Sequence, residues 1–241
     1  MSLAGITTFD FTSDSGNYDD CATNYYGYQT TTGCSGISYT SDGVNLDIFG
    51  AVWNGSEMDT TTDVYGWYKK KKRRGWKWKY GLLEEDGYDV TVSEYSNGLG
   101  VTSSYYDSHV VDGRGHQDYV VFEFDQEVEL SIVDFSYFNP DRPDYDDARI
   151  YSYVDDAWSE IGTFDSDPLN LGGLNLVGTT FAIGAPEKND DFKIKSLTVE
   201  YHMTSPGGVT PVPEPSTFVL LGLGLTILVV ARRGSFLARA S

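Results

Sequence analysis

Acidic side chains between Pro140 and Asp147 form the clearest candidate metal site in this chain of 241 residues. Four aspartates crowd that stretch: Asp141, Asp144, Asp146 and Asp147. Calcium binds six to eight oxygen atoms from carboxylates and carbonyls, so such a loop could hold a weak site. The spacing is not that of an EF-hand, because neither its glycine nor its terminal glutamate is in place. A solvated acidic loop is the alternative, and Ca²⁺ is the one cofactor that the residues suggest.

A basic run between tryptophans is the second candidate site. Six cations follow one another from Lys69 to Arg74, and Trp76-Lys77-Trp78-Lys79-Tyr80 alternates as a strand does. The pattern places the basic run at the tip of a β-hairpin. Aromatic rings stack on sugars and cations attract acidic polymers, which makes five residues candidate contacts for a glycan or an anionic polymer: Trp67, Lys70, Arg73, Trp76 and Trp78.

Three other interpretations of the basic run stay open. The run could be a plain exposed loop, it could lie against the acidic body of the protein itself, or it could contact anionic lipid.

The cysteine pair suggests a cross-link. Cys21 and Cys34 are the only two cysteines, and twelve residues separate them. In an exported protein an even pair at this range predicts a disulfide, and closing such a loop would stabilise the fold by about 3 kcal/mol. A zinc site is disfavoured because no second pair of ligands lies nearby.

Catalytic motifs are missing from the sequence. The nucleophile elbow, the phosphate-binding loop, the two-histidine zinc helix and the dinucleotide fingerprint do not occur. His109, His116 and His202 are scattered. A glycosidase needs only two carboxylates, but nothing marks a pair among 36 acidic residues. The sequence therefore predicts a protein that is not an enzyme.

The end of the chain has the composition of a membrane segment. Phe218–Ala231 carries no charge and is followed by Arg232 and Arg233. At about 1.5 Å per residue it would make a helix of about 21 Å, short of a hydrocarbon core of about 30 Å. Apolar residues cover every side of that helix, which favours lipid around it. The arginine pair predicts a cytoplasmic end, which leaves the preceding residues outside.

Together with the segment before it, this tail resembles the PEP-CTERM sorting signal of bacterial exosortase substrates. Pro213-Glu214-Pro215, the apolar helix and the arginine pair Arg232 and Arg233 follow in the order of that signal. The resemblance implies that a membrane-embedded exosortase is the partner that reads and processes the tail, in bacteria that make extracellular polysaccharide. An ordinary single-pass anchor would account for the helix and the arginines but not for Pro-Glu-Pro.

Two features depart from the family pattern. Family tails usually stop soon after the arginines, whereas Gly234–Ser241 continues here. The family also carries a secretion leader, and Met1–Ile6 has neither its basic nor its apolar region. We expect that a leader lies upstream of Met1 or has been removed. The third alternative, a cytoplasmic protein, would leave the tail without a purpose.

Composition excludes one class of partner and favours one fold class. The formal net charge is −19, and eight of the 17 Lys and Arg lie between Lys69 and Lys79, so nucleic acid is not an expected partner. Aromatic residues make up 15% of the chain, which also holds 26 glycines. That mixture favours strands and turns over helices.

Alternation of apolar and polar residues predicts many short strands. The clearest are Val44–Trp53, Tyr88–Tyr95, Tyr119–Asp125 and Val128–Phe135, and the last two are expected to form a hairpin with its tip at Gln126-Glu127. The spacing predicts an all-β fold, an antiparallel, jelly-roll-like β-sandwich of about ten strands, followed by a single C-terminal hydrophobic helix.

The predicted domains follow from these segments. They are the sandwich at 1–203, a Gly/Pro linker at 204–211, the sorting signal at 212–233 with its helix at 218–231, and a cytoplasmic tail at 234–241.

A second, shorter resemblance lies inside the sandwich. Gly98-Leu99-Gly100-Val101, Asp112-Gly113-Arg114-Gly115 and Asp118–Phe124 resemble a layout found in several exosortase-dependent surface proteins. It implies a sandwich domain without a known biochemical role. The expected function is therefore that of an exported, non-catalytic protein of the cell surface or the polysaccharide matrix, held first in the inner membrane. A lectin-like module and a glycan hydrolase or lyase are the alternatives.

Overall fold

The structure is a computed structural model that describes residues 4–13, 16–19, 22–26, 29–72, 75–104, 109–140 and 146–202. The chain divides into Leu3–His202 and a second part made of Met1–Ser2 and Met203–Ser241. All described residues belong to the first part. The predicted linker at 204–211, the predicted sorting signal with its expected helix at 218–231, and the predicted tail at 234–241 lie outside them.

The described residues form eighteen strands and no helix, which confirms the all-β prediction. Their bounds are β1 Ala4–Asp10, β2 Asn17–Asp19, β3 Ala22–Tyr26, β4 Gln29–Gly33, β5 Gly36–Ser41, β6 Val44–Trp53, β7 Met58–Asp59, β8 Thr61–Lys72, β9 Gly75–Asp89, β10 Thr91–Tyr95, β11 Gly98–Thr102, β12 Val111–Asp112, β13 Asp118–Ser136, β14 Ala148–Val154, β15 Ala157–Phe164, β16 Leu169–Asn170, β17 Val177–Gly184 and β18 Asp191–His202. They outnumber the ten expected because several are edge strands of two or three residues. No segment in this part of the chain is a helix that could span a membrane.

Alternation of apolar and polar side chains explains which face of a strand packs on the core and which face meets solvent. In β6, Val44, Leu46 and Ile48 are buried while Asn45 and Asp47 are exposed, as in a strand with one face on a core. The alternation stops after residue 48, because both faces of the sheet are covered there.

Fourteen strands form one antiparallel sheet that folds into two layers sharing β13. The large layer has the order β2-β5-β6-β13-β17-β14-β15 and uses Asp118–Phe124 of β13. The small layer centres on β18, which pairs with β1, β11 and β12 on one edge and with residues 128–136 of β13 on the other. Strands that pass from one layer to the other are a known way to build corners in sandwiches.

The predicted hairpin at Gln126-Glu127 is wrong. β13 continues through these residues for 19 positions, and its register with β17 shifts between Glu123 and Val128. The dipeptide lacks the Gly or Asn that a two-residue hairpin turn requires, so the irregularity bends the strand instead of reversing it.

The core lies between the two layers. Aromatic rings meet across it. Phe9 of β1 lies 6.0 Å, between ring centroids, from Phe124 of β13, and Phe11, which directly follows β1, lies 6.0 Å from Phe122 of β13. Phe11 and Phe122 are completely buried. Since β1 and β13 do not pair with each other, these contacts join opposite layers, and the antiparallel sandwich is confirmed.

The glycine-rich layout around Gly98 serves this fold. Gly98 has a φ of 115°, which disfavours other residues. A β-carbon at Gly100 would clash with the backbone oxygen of His109. Asp112 accepts a hydrogen bond at 2.7 Å from the backbone N–H of Arg114, and Phe122 fills the core. The motif thus specifies tight turns and packing.

Strands β8 and β9 form a separate two-stranded ribbon that contains the basic run. Their register is continuous from Tyr65 opposite Leu82 to Lys72 opposite Gly75. The prediction that the basic run lies at the end of a β-hairpin is therefore confirmed. Residues 73–74, between the two strands, lie outside the described part of the chain.

Candidate functional site

The outer face of the large layer carries an apolar cluster, although the outer face of an antiparallel sandwich is ordinarily polar. Its buried members come from four neighbouring strands: Ala51, Tyr119, Val121, Tyr151 and Ala182. Its partly buried members pack on top of them: Phe49, Trp53, Met58 and Trp158. Apolar patches of this kind commonly mark binding surfaces. We call these nine residues the outer cluster.

Aromatic stacking organises the outer cluster. The rings of Trp53 and Tyr151 stack with centroids 4.7 Å apart at 29°, and Tyr119 meets Tyr151 edge-on at 5.7 Å. At the edge of the layer, Tyr153 lies 5.1 Å from Trp158. Tyr153 is 40% exposed, and Trp53 and Trp158 are half-buried. The cluster therefore offers ring surface to solvent on a rigid strand scaffold.

Polar groups fix the rim of the outer cluster. The Tyr151 hydroxyl donates to Glu160 Oε2 at 3.3 Å, and Arg149 Nε donates to Thr163 Oγ1 at 3.2 Å. Arg149 Nε also lies 3.8 Å from Glu160 Oε1. Burial raises the pKa of Tyr119 and of Tyr151 above the usual range, so both hydroxyls stay neutral at physiological pH.

A groove of about 580 Å³ lies beside the outer cluster, over β5, β6 and β13. Its lining mixes hydroxyl, carboxylate and apolar groups: Ser35, Gly36, Ile37, Ser38, Asp47, Ile48, Phe49, Thr60, Asp89, Val90 and Glu123. Phe49 belongs to both features, so the groove and the outer cluster are continuous. We call this feature the outer groove.

Two carboxylates face each other in the outer groove. Asp47 and Glu123 are directly opposite in the register of β6 and β13, and the Ser38 hydroxyl donates to Asp47 at 2.6 Å. A glycosidase also uses two carboxylates, but its general acid is kept protonated by an apolar or buried setting. Asp47 and Glu123 are both exposed. The pair is suited to accepting hydrogen bonds.

Neither the outer cluster nor the outer groove was anticipated from the sequence. The one local signal was the run Ile48-Phe49-Gly50-Ala51-Val52-Trp53, which is apolar at positions facing both sides of its strand. A strand buried on both faces gives that pattern.

The structure describes only part of the predicted calcium loop, because Asp141 and Asp144 lie outside the described residues. Asp146 is 6% exposed, and its two oxygens accept from the backbone N–H groups of Asn139 at 2.6 Å and Asp191 at 3.3 Å. Across the described ranges, no group of three or more His, Cys, Asp or Glu is placed to hold a metal ion. Asp146 thus ties two loops together, and calcium binding by the complete loop stays a prediction.

Asp190 is a buried carboxylate beside this loop. It is fully buried and accepts from the backbone N–H groups of Glu187 at 2.6 Å and Asp147 at 3.2 Å. Burial raises the pKa of Asp190 to about 6, although the two backbone hydrogen bonds lower it. Burial also raises the pKa of Asp147.

We expect the free energy of unfolding to increase as pH falls from 7.5 to 5. The folded pKa of Asp190 lies above the unfolded value of about 3.9, so the folded state binds the proton more tightly and gains stability below pH 6. Linkage gives about 1 kcal/mol for this group over that range. Urea unfolding of the wild type and of Asp190→Asn at each pH measures this change in the free energy of unfolding.

The free energy of unfolding of the Asp190→Asn variant should depend less on pH, because asparagine does not titrate in this range. It should also be lower than that of the wild type at every pH, because an amide has only one acceptor oxygen. An equal pH dependence in both proteins would contradict the role given to Asp190.

The ribbon contains four of the residues predicted to contact a polymer: Trp67, Lys70, Trp76 and Trp78. Its register places Trp67 opposite Tyr80, Trp78 opposite Lys69 and Trp76 opposite Lys71.

Lys70 lies opposite Lys77 in the same register. Lys70 and Lys79 are both exposed. Arg73 is outside the described residues. The polymer contact stays a prediction.

The cysteine and sorting residues fall mostly outside the described part. Cys34 is 2% exposed, and its backbone exchanges two hydrogen bonds with Val92 at 2.8 and 2.9 Å. Cys21 lies outside the described residues, so the disulfide stays a prediction. Pro213, Glu214, Pro215, Arg232 and Arg233 also lie outside them.

Comparison with known proteins identifies the tail. The family model for the PEP-CTERM protein-sorting motif matches residues 211–233, which confirms the resemblance seen in the sequence. No curated protein and no solved structure matches the chain. The motif is that of an exported, envelope-associated protein whose sorting depends on an exosortase.

Proposed function

We propose that the protein is a non-catalytic component of the cell surface or the extracellular polysaccharide matrix. The observation that carries this proposal is the PEP-CTERM motif at residues 211–233, which follows a β-sandwich domain. In this proposal the apolar segment 218–231 holds the chain in the inner membrane until an exosortase cleaves near Pro215. The sandwich then passes to its final place outside the cell.

A lectin-like role is the second candidate, and a specific observation favours it. The outer cluster presents stacked aromatic rings beside the open outer groove, as sugar-binding surfaces require. A hydrolase or lyase is less well supported. The opposed carboxylates Asp47 and Glu123 are both exposed, which does not separate an acid from a base.

Fractionation of the native host tests the proposed role. We expect the mature protein in the surface or matrix polysaccharide fraction, and we expect purified protein to release no reducing ends from that polysaccharide. Retention in the cytoplasm would contradict the proposal, and steady release of reducing ends would make the protein an enzyme.

A further inference from the structure

We propose that the outer groove and the outer cluster form one continuous binding surface for an uncharged glycan chain. The inference deepens the proposed function, because the polysaccharide matrix is the expected source of that glycan. It differs from the polymer contact predicted for the ribbon in its location, its residues and the charge of its ligand.

Continuity of the surface follows from strand order. The outer groove lies over β5, β6 and β13, and the outer cluster extends through β17 and β14 to Trp158 on β15. Five steps between neighbouring strands span about 24 Å. Phe49 joins the two halves, so an extended chain could cross the strands without leaving the surface.

The groove half is suited to binding hydroxyl groups. Asp47, Asp89 and Glu123 are exposed carboxylates that accept hydrogen bonds, and bonds to charged acceptors are stronger than neutral ones. Ser35 and Thr60 add hydroxyl groups, and Ser38, whose hydroxyl hydrogen is donated to Asp47, adds an acceptor. A sugar presents several hydroxyl donors at once, which matches this excess of acceptors.

The cluster half is suited to the apolar faces of sugar rings. Trp53 is held by stacking on Tyr151, and Trp158 is held against Tyr153, so both indoles are fixed before a ligand arrives. Fixed aromatic rings lose little entropy on binding, which increases affinity.

Charge decides which glycan fits. Among the residues whose side chains the structure describes, three carboxylates and no lysine or arginine line the groove, in a chain with a net charge of −19. An acidic polysaccharide would bring further carboxylates or sulfates against Asp47, Asp89 and Glu123, and like charges repel. An uncharged chain meets no such penalty.

The test uses the full chain in a neutral detergent and the host's extracellular polysaccharide, separated into uncharged and acidic fractions by anion exchange. Affinity electrophoresis measures binding of the wild type, Trp158→Ala and Glu123→Gln. Tyr137→Ala is the matched control, because Tyr137 is an aromatic that is 63% exposed and does not line this surface.

We expect the wild type to bind the uncharged fraction, with affinity at least tenfold lower in Trp158→Ala, severalfold lower in Glu123→Gln and unchanged in Tyr137→Ala. Melting curves show whether each variant is folded, and the isosteric Glu123→Gln keeps the test valid if Trp158→Ala unfolds. Binding to the acidic fraction alone, equal binding by all variants, or no binding to either fraction would overturn the proposal. Failure here would leave the matrix location, tested by fractionation, untouched.

Discussion

Replacing Pro213, Glu214 and Pro215 with alanine is expected to leave the uncleaved chain in the membrane fraction of the native host. Proline has no amide donor and disfavours helix in the residue before it, so these residues favour an extended segment. A cleaving enzyme needs an extended backbone, and an alanine run would let the helix continue. Mass spectrometry of the mature protein should place the wild-type carboxy terminus near Pro215, whereas the variant should retain the peptides that cover Phe218–Arg233.

Two controls accompany this experiment. Deleting the exosortase gene should give the same accumulation with the unaltered chain, while Thr210→Ala, just before the matched motif, should be processed normally. Recovery of wild-type surface protein with Phe218–Arg232 intact would make the tail a permanent anchor.

Phe122→Ala is expected to lower the free energy of unfolding by about 3 to 5 kcal/mol. Phe122 is completely buried in the part of β13 that pairs with both β6 and β17, and its ring stacks on Phe11 of the opposite layer. Truncation removes apolar contacts and leaves a cavity, and the pairing of β13 with β6 and β17 prevents the backbone from moving in to fill it. Urea unfolding followed by tryptophan fluorescence measures the loss.

Val154→Ala is the matched control for Phe122→Ala. Val154 is an apolar residue of the same layer but is 49% exposed at the end of β14, so the change should stay within about 0.5 kcal/mol. Equal losses in the two variants would contradict the placement of the core between the layers.

The parts that the sequence predicted are those with local signals. Alternation over Val44–Ile48 identified a strand with one buried face, and the basic run between tryptophans identified a hairpin. The Pro-Glu-Pro segment identified the tail because the motif is short and specific, and because its parts follow one another in a fixed order along the sequence.

The parts that were missed depend on contacts between distant strands. Trp53, Tyr151 and Trp158 come from three strands, and only the strand order and register bring them to one face. The burial of Asp190 likewise arises from its contact with Asp147, 43 residues away. Two strands were predicted in place of β13 because the polar residues Asp125, Gln126 and Glu127 interrupt its apolar alternation, and such an interruption occurs at a bend as well as at a turn.

The pairing of the first strand with the last sets the timing of folding. Ala4 lies opposite His202 and Asp10 opposite Ser196, so β1 has its main partner only after nearly the whole domain has been made. At about 5 to 20 residues per second, the ribosome needs about 10 to 40 s to supply that partner. During this interval the edge of β1 is unpaired, and the chain stays without its closed core. A chain in that condition can still be threaded across a membrane, but an unpaired strand edge also exposes it to aggregation.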